Sequence, residues 1–152
     1  MTAPEGAAVH PAARRRFTWR AEAPVVAAVA LGGGAGAAAR YAASLWWPAQ
    51  SGGFPWTIFW VNVAGCAVMG AFTVLATQVW PGRRLLRPFF GTGVLGGFTT
   101  FSTYAVDIER LVTTGHTGTG LAVLAATPLA ALGAVWLAAS VTRRALKARH
   151  SS

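Results

Sequence analysis

"GGFTTFSTY", Gly96 to Tyr104, decides how the rest of the chain is read. It lies inside the 19 residues from Pro88 to Val106, none of them charged, a length that matches one helical crossing of a bilayer core. Yet it carries paired glycines followed by five hydroxyl side chains in seven residues. The pattern predicts a helix broken at mid-membrane, whose freed backbone groups must be satisfied by protein, water or an ion. The half ending at Gly96 would present unpaired carbonyls, and the half starting after about Thr100 would present unpaired N–H groups. Paired half-helix ends of this kind hold ions in transporters; a simple glycine kink is the competing reading.

The surroundings agree with a membrane setting. The chain has 152 residues, 54% hydrophobic and only 11% charged, with a mean hydropathy of +0.47. Soluble domains carry about 25% charged residues. Three further apolar segments accompany the central one: 24–47, interrupted only by Arg40; 57–80, closed by the Pro81-Gly82 turn; and 119–142, with Pro128 as a kink point. The fold class expected is therefore all-α, with four transmembrane helices over 24–142. A disordered basic tail, 1–23, precedes them and a basic tail, 143–152, follows. "RRRFTW" near the start faintly resembles a twin-arginine signal, but with three spans to follow, an uncleaved first helix is the better reading.

Charge placement sets orientation. With four crossings, Arg14, Arg15, Arg16, Arg20, Arg83, Arg84, Arg87, Arg143, Arg144, Lys147 and Arg149 share one side, 11 basic residues against Arg40 and Arg110 on the other. The positive-inside rule puts both termini in the cytoplasm of a multi-pass plasma-membrane protein. The net charge of +9 thus reads as cytoplasmic flanks, with no nucleic-acid partner. The single cysteine, Cys66, excludes an internal disulfide and reads as a small packing residue.

Small residues recur on the helices. Gly32 and Gly36 form a GxxxG, as do Gly93 and Gly97, a spacing that lets helix backbones approach closely. Four helices barely enclose a pore, so oligomerisation is expected.

The residues around the break suggest an ion path. Phe101 and Tyr104 are three apart and share a helical face, where ring edges can meet an anion without a full counter-charge. Ser102 and Thr103 add hydroxyls. Asn62 brings an amide into an apolar segment, either as a path donor or as an interhelical hydrogen-bonding group. Arg40 adds positive potential or snorkels to the interface.

"GTGVLGGFTTFSTYAVDIERL", Gly91 to Leu111, closely resembles the signature of the small fluoride channels of the Fluc or CrcB family. "GGGAGAAARY" (Gly32 to Tyr41) and "WVNVAGCAVMG" (Trp60 to Gly70) agree in order and spacing. The resemblance implies a dimer of oppositely oriented subunits that exports cytoplasmic fluoride passively and lowers its toxicity. It also implies a structural, non-transported sodium ion held by the carbonyls of Gly96 and Thr99, with Gly96 tolerating a Cβ poorly because the backbone would change. Phe101 and Tyr104 fall on the family's pore phenylalanines, with Tyr a departure. Asn62, Ser102, Thr103 and Arg40 match its pore asparagine, hydroxyls and entrance arginine. Helix four offers few polar groups after Thr119 except Thr127, so a polar track there has little support. The partner expected from the charge bias is a homologous paired-gene subunit rather than a second copy.

A small four-helix multidrug exporter is the main rival, but proton-coupled export needs a membrane-embedded carboxylate. The acidic residues, Glu5, Glu22, Asp107 and Glu109, all lie away from the middle of a span. An enzyme is the second rival. No histidine lies inside a span, and no nucleophile–base pair can be assembled.

Overall fold

A computed structural model describes residues 19–150. Most of the expected disordered tail, 1–18, lies outside these residues. The described chain is all helical: α1 (Trp19–Trp46), α2 (Trp56–Gln78), a π-wound segment (Arg87–Leu95), the single turn α3 (Gly96–Phe98), α4 (Ser102–Thr113) and α5 (Thr117–His150). Among the described residues three stretches are long and apolar enough to cross a membrane: Glu22–Trp46, Trp56–Gln78 and Thr117–Arg149. The fourth expected crossing is instead wound in pieces.

Two helices run past the expected membrane spans. Helix α1 already includes residues 19–23, which fall in the expected tail. Helix α5 runs on through Arg143, Arg144 and Lys147 to His150, so most of the expected basic tail is helix. Ala, Leu, Lys and Arg are all strong helix formers, and charge alone does not end a helix.

The termini are closed by local chemistry. The α1–α2 loop turns at Gly52 (φ 74°) and α2 starts after Pro55. At the far end Arg87 Nη2 donates to Ala76 O at 3.0 Å, supplying one of the donors that the last carbonyls of α2 lack. Helix α4 stops in a Schellman motif: His116 N–H bonds Leu111 O at 2.7 Å and Gly115 N–H bonds Val112 O at 3.2 Å. Gly115 makes this possible with φ 85°, a region that costs a Cβ-bearing residue.

Packing follows the glycines. On α1, a Cβ on Gly32 would collide with Phe89 O, and one on Gly36 with Val94 O. In return, Gly93 already stands close enough that a Cβ would lie 3.0 Å from Gly32 Cα, and a Cβ on Gly97 would collide with Gly33 O. The two GxxxG motifs therefore face each other and hold α1 backbone-to-backbone against the π-wound segment and α3. Helices α2 and α5 meet in the same manner at Gly70, where a Cβ would collide with Val135 O. Along the first seam the contacts advance together in both sequences, so α1 and the segment after Arg87 run in the same direction.

Side chains fill the remaining space in two clusters. Phe72, Ala76 and Leu95 pack with Met69, Leu86 and Phe90; Ile58, Tyr104, Leu111 and Val123 pack with Phe54 and Ile108. The outer faces are apolar as well. Leu31, Leu45, Trp46, Leu129, Leu132, Trp136 and Leu137 are all exposed. A surface of that kind suits lipid or another apolar helix, not water.

Candidate functional site

Winding stops at the end of α3. Gly96 is still helical, with φ −66° and ψ −33°, while Thr99 turns extended with ψ 153°. Thr100 and Phe101 follow before α4 begins at Ser102. The first piece thus ends two residues beyond the expected Gly96. The glycines serve the seam with α1, and the change of direction falls on the hydroxyl residues after them.

Asn62, on α2 and only 8% exposed, explains the position. Its Nδ2 donates to Thr100 O at 3.1 Å, and its Oδ1 accepts from Thr100 N–H at 2.9 Å. One side-chain amide therefore replaces both helical partners of a single backbone residue. Because Thr100 N–H is engaged there, it does not reach Gly96 O, which loses its usual donor. Gly65, one turn further along α2, leaves room for Thr99: a Cβ on Gly65 would sit 2.5 Å from Thr99 Cγ2.

Both sides of the interruption are partly capped. Thr99 N–H and Thr99 Oγ1 both donate to Leu95 O, at 3.0 and 2.9 Å. Thr100 Oγ1 accepts from Thr103 N–H at 3.2 Å, satisfying one of the amides at the start of α4. Arg40 Nε donates to Gly97 O at 3.3 Å, placing a guanidinium against the carbonyl end of α3 where the helix dipole favours positive charge.

An open cleft of ≈ 470 Å³ borders this region, lined among others by Asn62, Thr99, Phe101, Tyr104, Thr127 and Pro128. No Asp, Glu, Lys, Arg or His is among the lining residues. The Phe101 and Tyr104 rings stand 5.6 Å apart at 48°. Phe101 is 79% exposed, whereas Tyr104 is 7% exposed and donates its hydroxyl to Leu124 O on α5 at 2.8 Å. Thr127 is 5% exposed, and its Oγ1 is buried with no hydrogen-bond partner.

Of the residues expected from sequence, Asn62, Thr99, Phe101 and Tyr104 share this cleft. Ser102 is exposed outside it, and Thr103 is turned into the α4 cap, its Oγ1 3.2 Å from Thr100 Oγ1. Gly96 and Arg40 lie outside the cleft lining: Gly96 is exposed, and Arg40 reaches the interruption from α1. Two lining residues carry more weight than their sequence signal did. Thr100 is the residue Asn62 holds, and Thr127 supplies an unpartnered hydroxyl from α5. The adjacent Pro128 is the visible cue, because it disturbs the local helix bonding.

The expected reason for intolerance at Gly96 does not hold. Its backbone is ordinary helix, and a Cβ there would meet nothing nearer than Gly91 O at 4.0 Å. Within this chain the position has room for a Cβ.

Apolar helices with lipid-suited faces define a membrane protein, and the largely apolar cleft beside the interruption holds no charged side chain. Residues 27–139 match the family described as CrcB-like protein, Camphor Resistance (CrcB), and the chain belongs to that family. It is 68% identical over 143 residues to the fluoride-specific ion channel FluC 1 of Streptomyces coelicolor, covering 94% of this chain and 93% of that one. It is 71% identical over 122 residues to fluoride-specific ion channel FluC 2 of Streptomyces avermitilis, covering 80% and 77%. A FluC 2 of Nocardia farcinica is 50% identical over 119 residues, covering 78% and 85%. These relatives are named as ion channels, not enzymes.

Proposed function

We propose that this chain is one subunit of a fluoride-selective channel that lets cytoplasmic fluoride leave the cell passively. The observation that carries the reading is the uncharged cleft at the Thr99–Phe101 interruption. It offers the rings of Phe101 and Tyr104 and the second N–H of Asn62 Nδ2, with the Thr127 hydroxyl buried at its wall, none of them a full positive charge. Weak donors in series suit conduction, because an ion must bind well enough to enter and loosely enough to leave. The names of the relatives supply the ion.

The chain crosses the membrane four times in this reading, with the pieces from Arg87 to Thr113 forming one interrupted span. The parallel course of α1 and that span agrees with alternate crossings. Hydrogen fluoride enters neutral and dissociates inside, and the negative-inside potential then drives the anion out with about 2.3 kcal/mol per charge per 100 mV.

A structural sodium ion fits the same interruption. Gly96 O and Thr99 O both lack the amide four residues on, since Thr100 N–H goes to Asn62 and Thr103 N–H to Thr100 Oγ1. Gly96 is exposed and offers no Cβ to obstruct an approach from outside the chain. Two such carbonyls from each of two subunits make a four-oxygen cage for a hard cation. The ion would hold the subunits together and stay in place.

The second subunit is a homologue of opposite orientation. Eleven basic residues on one side against two on the other favour an orientation with both termini inside. Numbered relatives occur within one organism: Streptomyces avermitilis carries a FluC 2 and a FluC 3. Fluoride efflux from liposomes, read with a fluoride electrode, tests the proposal. Flux of chloride at the same rate as fluoride, or none of either from chain plus homologue, refutes it.

A further inference from the structure

Pro128 has no amide hydrogen, so the carbonyl four residues earlier, Leu124 O, loses the bond that a regular α-helix would give it. Tyr104 fills that gap. Its hydroxyl reaches across from α4 and donates to Leu124 O at 2.8 Å, with Tyr104 itself 7% exposed. A phenol has one hydrogen to give. Once given to Leu124 O, only oxygen lone pairs remain, and these repel an anion.

We propose that Tyr104 is a positioning residue whose hydroxyl is committed to Leu124 O by the missing amide of Pro128, so that the ring edge alone addresses the ion. The inference rests on the reading of the cleft as a fluoride path. Tyr104, Leu124 and Pro128 then act as one unit tying α4 to α5. The bond fixes the ring beside Phe101, at 5.6 Å, and leaves the neighbouring Thr127 Oγ1 as the unpartnered hydroxyl of the cleft. A phenylalanine at 104 keeps the ring but leaves Leu124 O without a donor. The tyrosine and the proline are therefore coupled, and either one alone is worse than both or neither.

The experiment is a double-mutant cycle of Tyr104→Phe and Pro128→Ala in liposomes, with fluoride efflux scaled to correctly assembled protein. Tyr104→Phe alone is expected to slow efflux about threefold to tenfold, the factor that one lost net hydrogen bond represents. In the Pro128→Ala background an amide returns to Leu124 O, and the same Tyr104→Phe change should cost less than about twofold. Equal losses in the two backgrounds, or no loss in either, overturn the coupling. An infrared arm keeps the test decisive if Pro128→Ala assembles poorly. The chain has two tyrosines, so Tyr41→Phe isolates the phenolic C–O band of Tyr104. That band should report a phenol that only donates; an accepting or unbonded phenol in the otherwise natural chain overturns the proposal. Should the chain pass no fluoride at all, the channel reading fails while the infrared result still decides the bond.

Discussion

Replacing Gly36 with alanine probes the seam that holds the interrupted segment in place. A Cβ there would stand 2.7 Å from Phe98 N and 2.9 Å from Val94 C, and would collide outright with Val94 O. All are backbone atoms, so no side chain can swing aside. Ordinary contact begins near 3.4 Å, which requires α1 to retreat by at least about 0.7 Å, a gap that forfeits a quarter to a half of each dispersion contact it opens. Overpacking of this kind costs about 1–3 kcal/mol. Gly34, on the same helix, is the control, because a Cβ there meets nothing within 4 Å. Both changes gain the same helix propensity, about 0.8–1 kcal/mol, so the comparison between them isolates the collision. Thermal denaturation in detergent, followed by loss of the assembled peak in size-exclusion chromatography, should place Gly36→Ala below Gly34→Ala by roughly 3–10 °C. Fluoride efflux should fall in Gly36→Ala and persist in Gly34→Ala. If Gly36→Ala is as stable as its control, the close backbone approach between α1 and the interrupted segment is wrong.

Phe101→Ile keeps apolar bulk but removes the ring edge, so efflux should fall by more than tenfold while assembly survives; near-normal efflux takes the ring out of the path. Asn62→Ala orphans both polar groups of Thr100 at about 1–3 kcal/mol each, so it should lower thermal stability as well as flux. Normal stability in that variant contradicts the clamp. Exhaustive sodium removal should weaken the dimer or stop flux, and survival of both refutes the carbonyl cage. A C-terminal reporter active only in the cytoplasm should report one orientation, with flux needing a co-expressed homologue. A signal split evenly between the two sides, with robust flux from this chain alone, argues for a homodimer instead.

Much of this was legible in the sequence because lipid leaves few choices. Apolar runs of bilayer length located α1, α2 and α5, and the glycines at 32, 36, 93 and 97 marked a seam that the structure forms between those two motifs. The Phe101–Tyr104 pair followed from helical spacing and is found in contact. The turning point was less legible, since glycine draws attention while the deciding group, Asn62, is 38 residues away from Thr100. The Arg40 bond to Gly97 O has no local signal, because it links two helices, and Pro128 marks Leu124 O as free without pointing to Tyr104 as its donor. The ends of α1 and α5 were not legible for a different reason. Loss of hydrophobicity marks where lipid stops, and a helix of good formers continues past that point.

The clamp of Asn62 on Thr100 makes the interruption a property of the assembled helices and not of the segment that bears it. In the segment alone, the amide of Thr100 has only Gly96 O in reach, and in lipid an unpaired amide is too costly to leave. The isolated segment would therefore wind straight through. Only when α2 docks does a side chain offer Thr100 a donor and an acceptor at once, and the helix opens there. Insertion of the chain and opening of the helix at Thr100 are then separate events, the second gated by the meeting of α2 with a helix made after it. A chain caught between the two would be greasy, fully wound and sealed, and so harmless to the membrane that holds it.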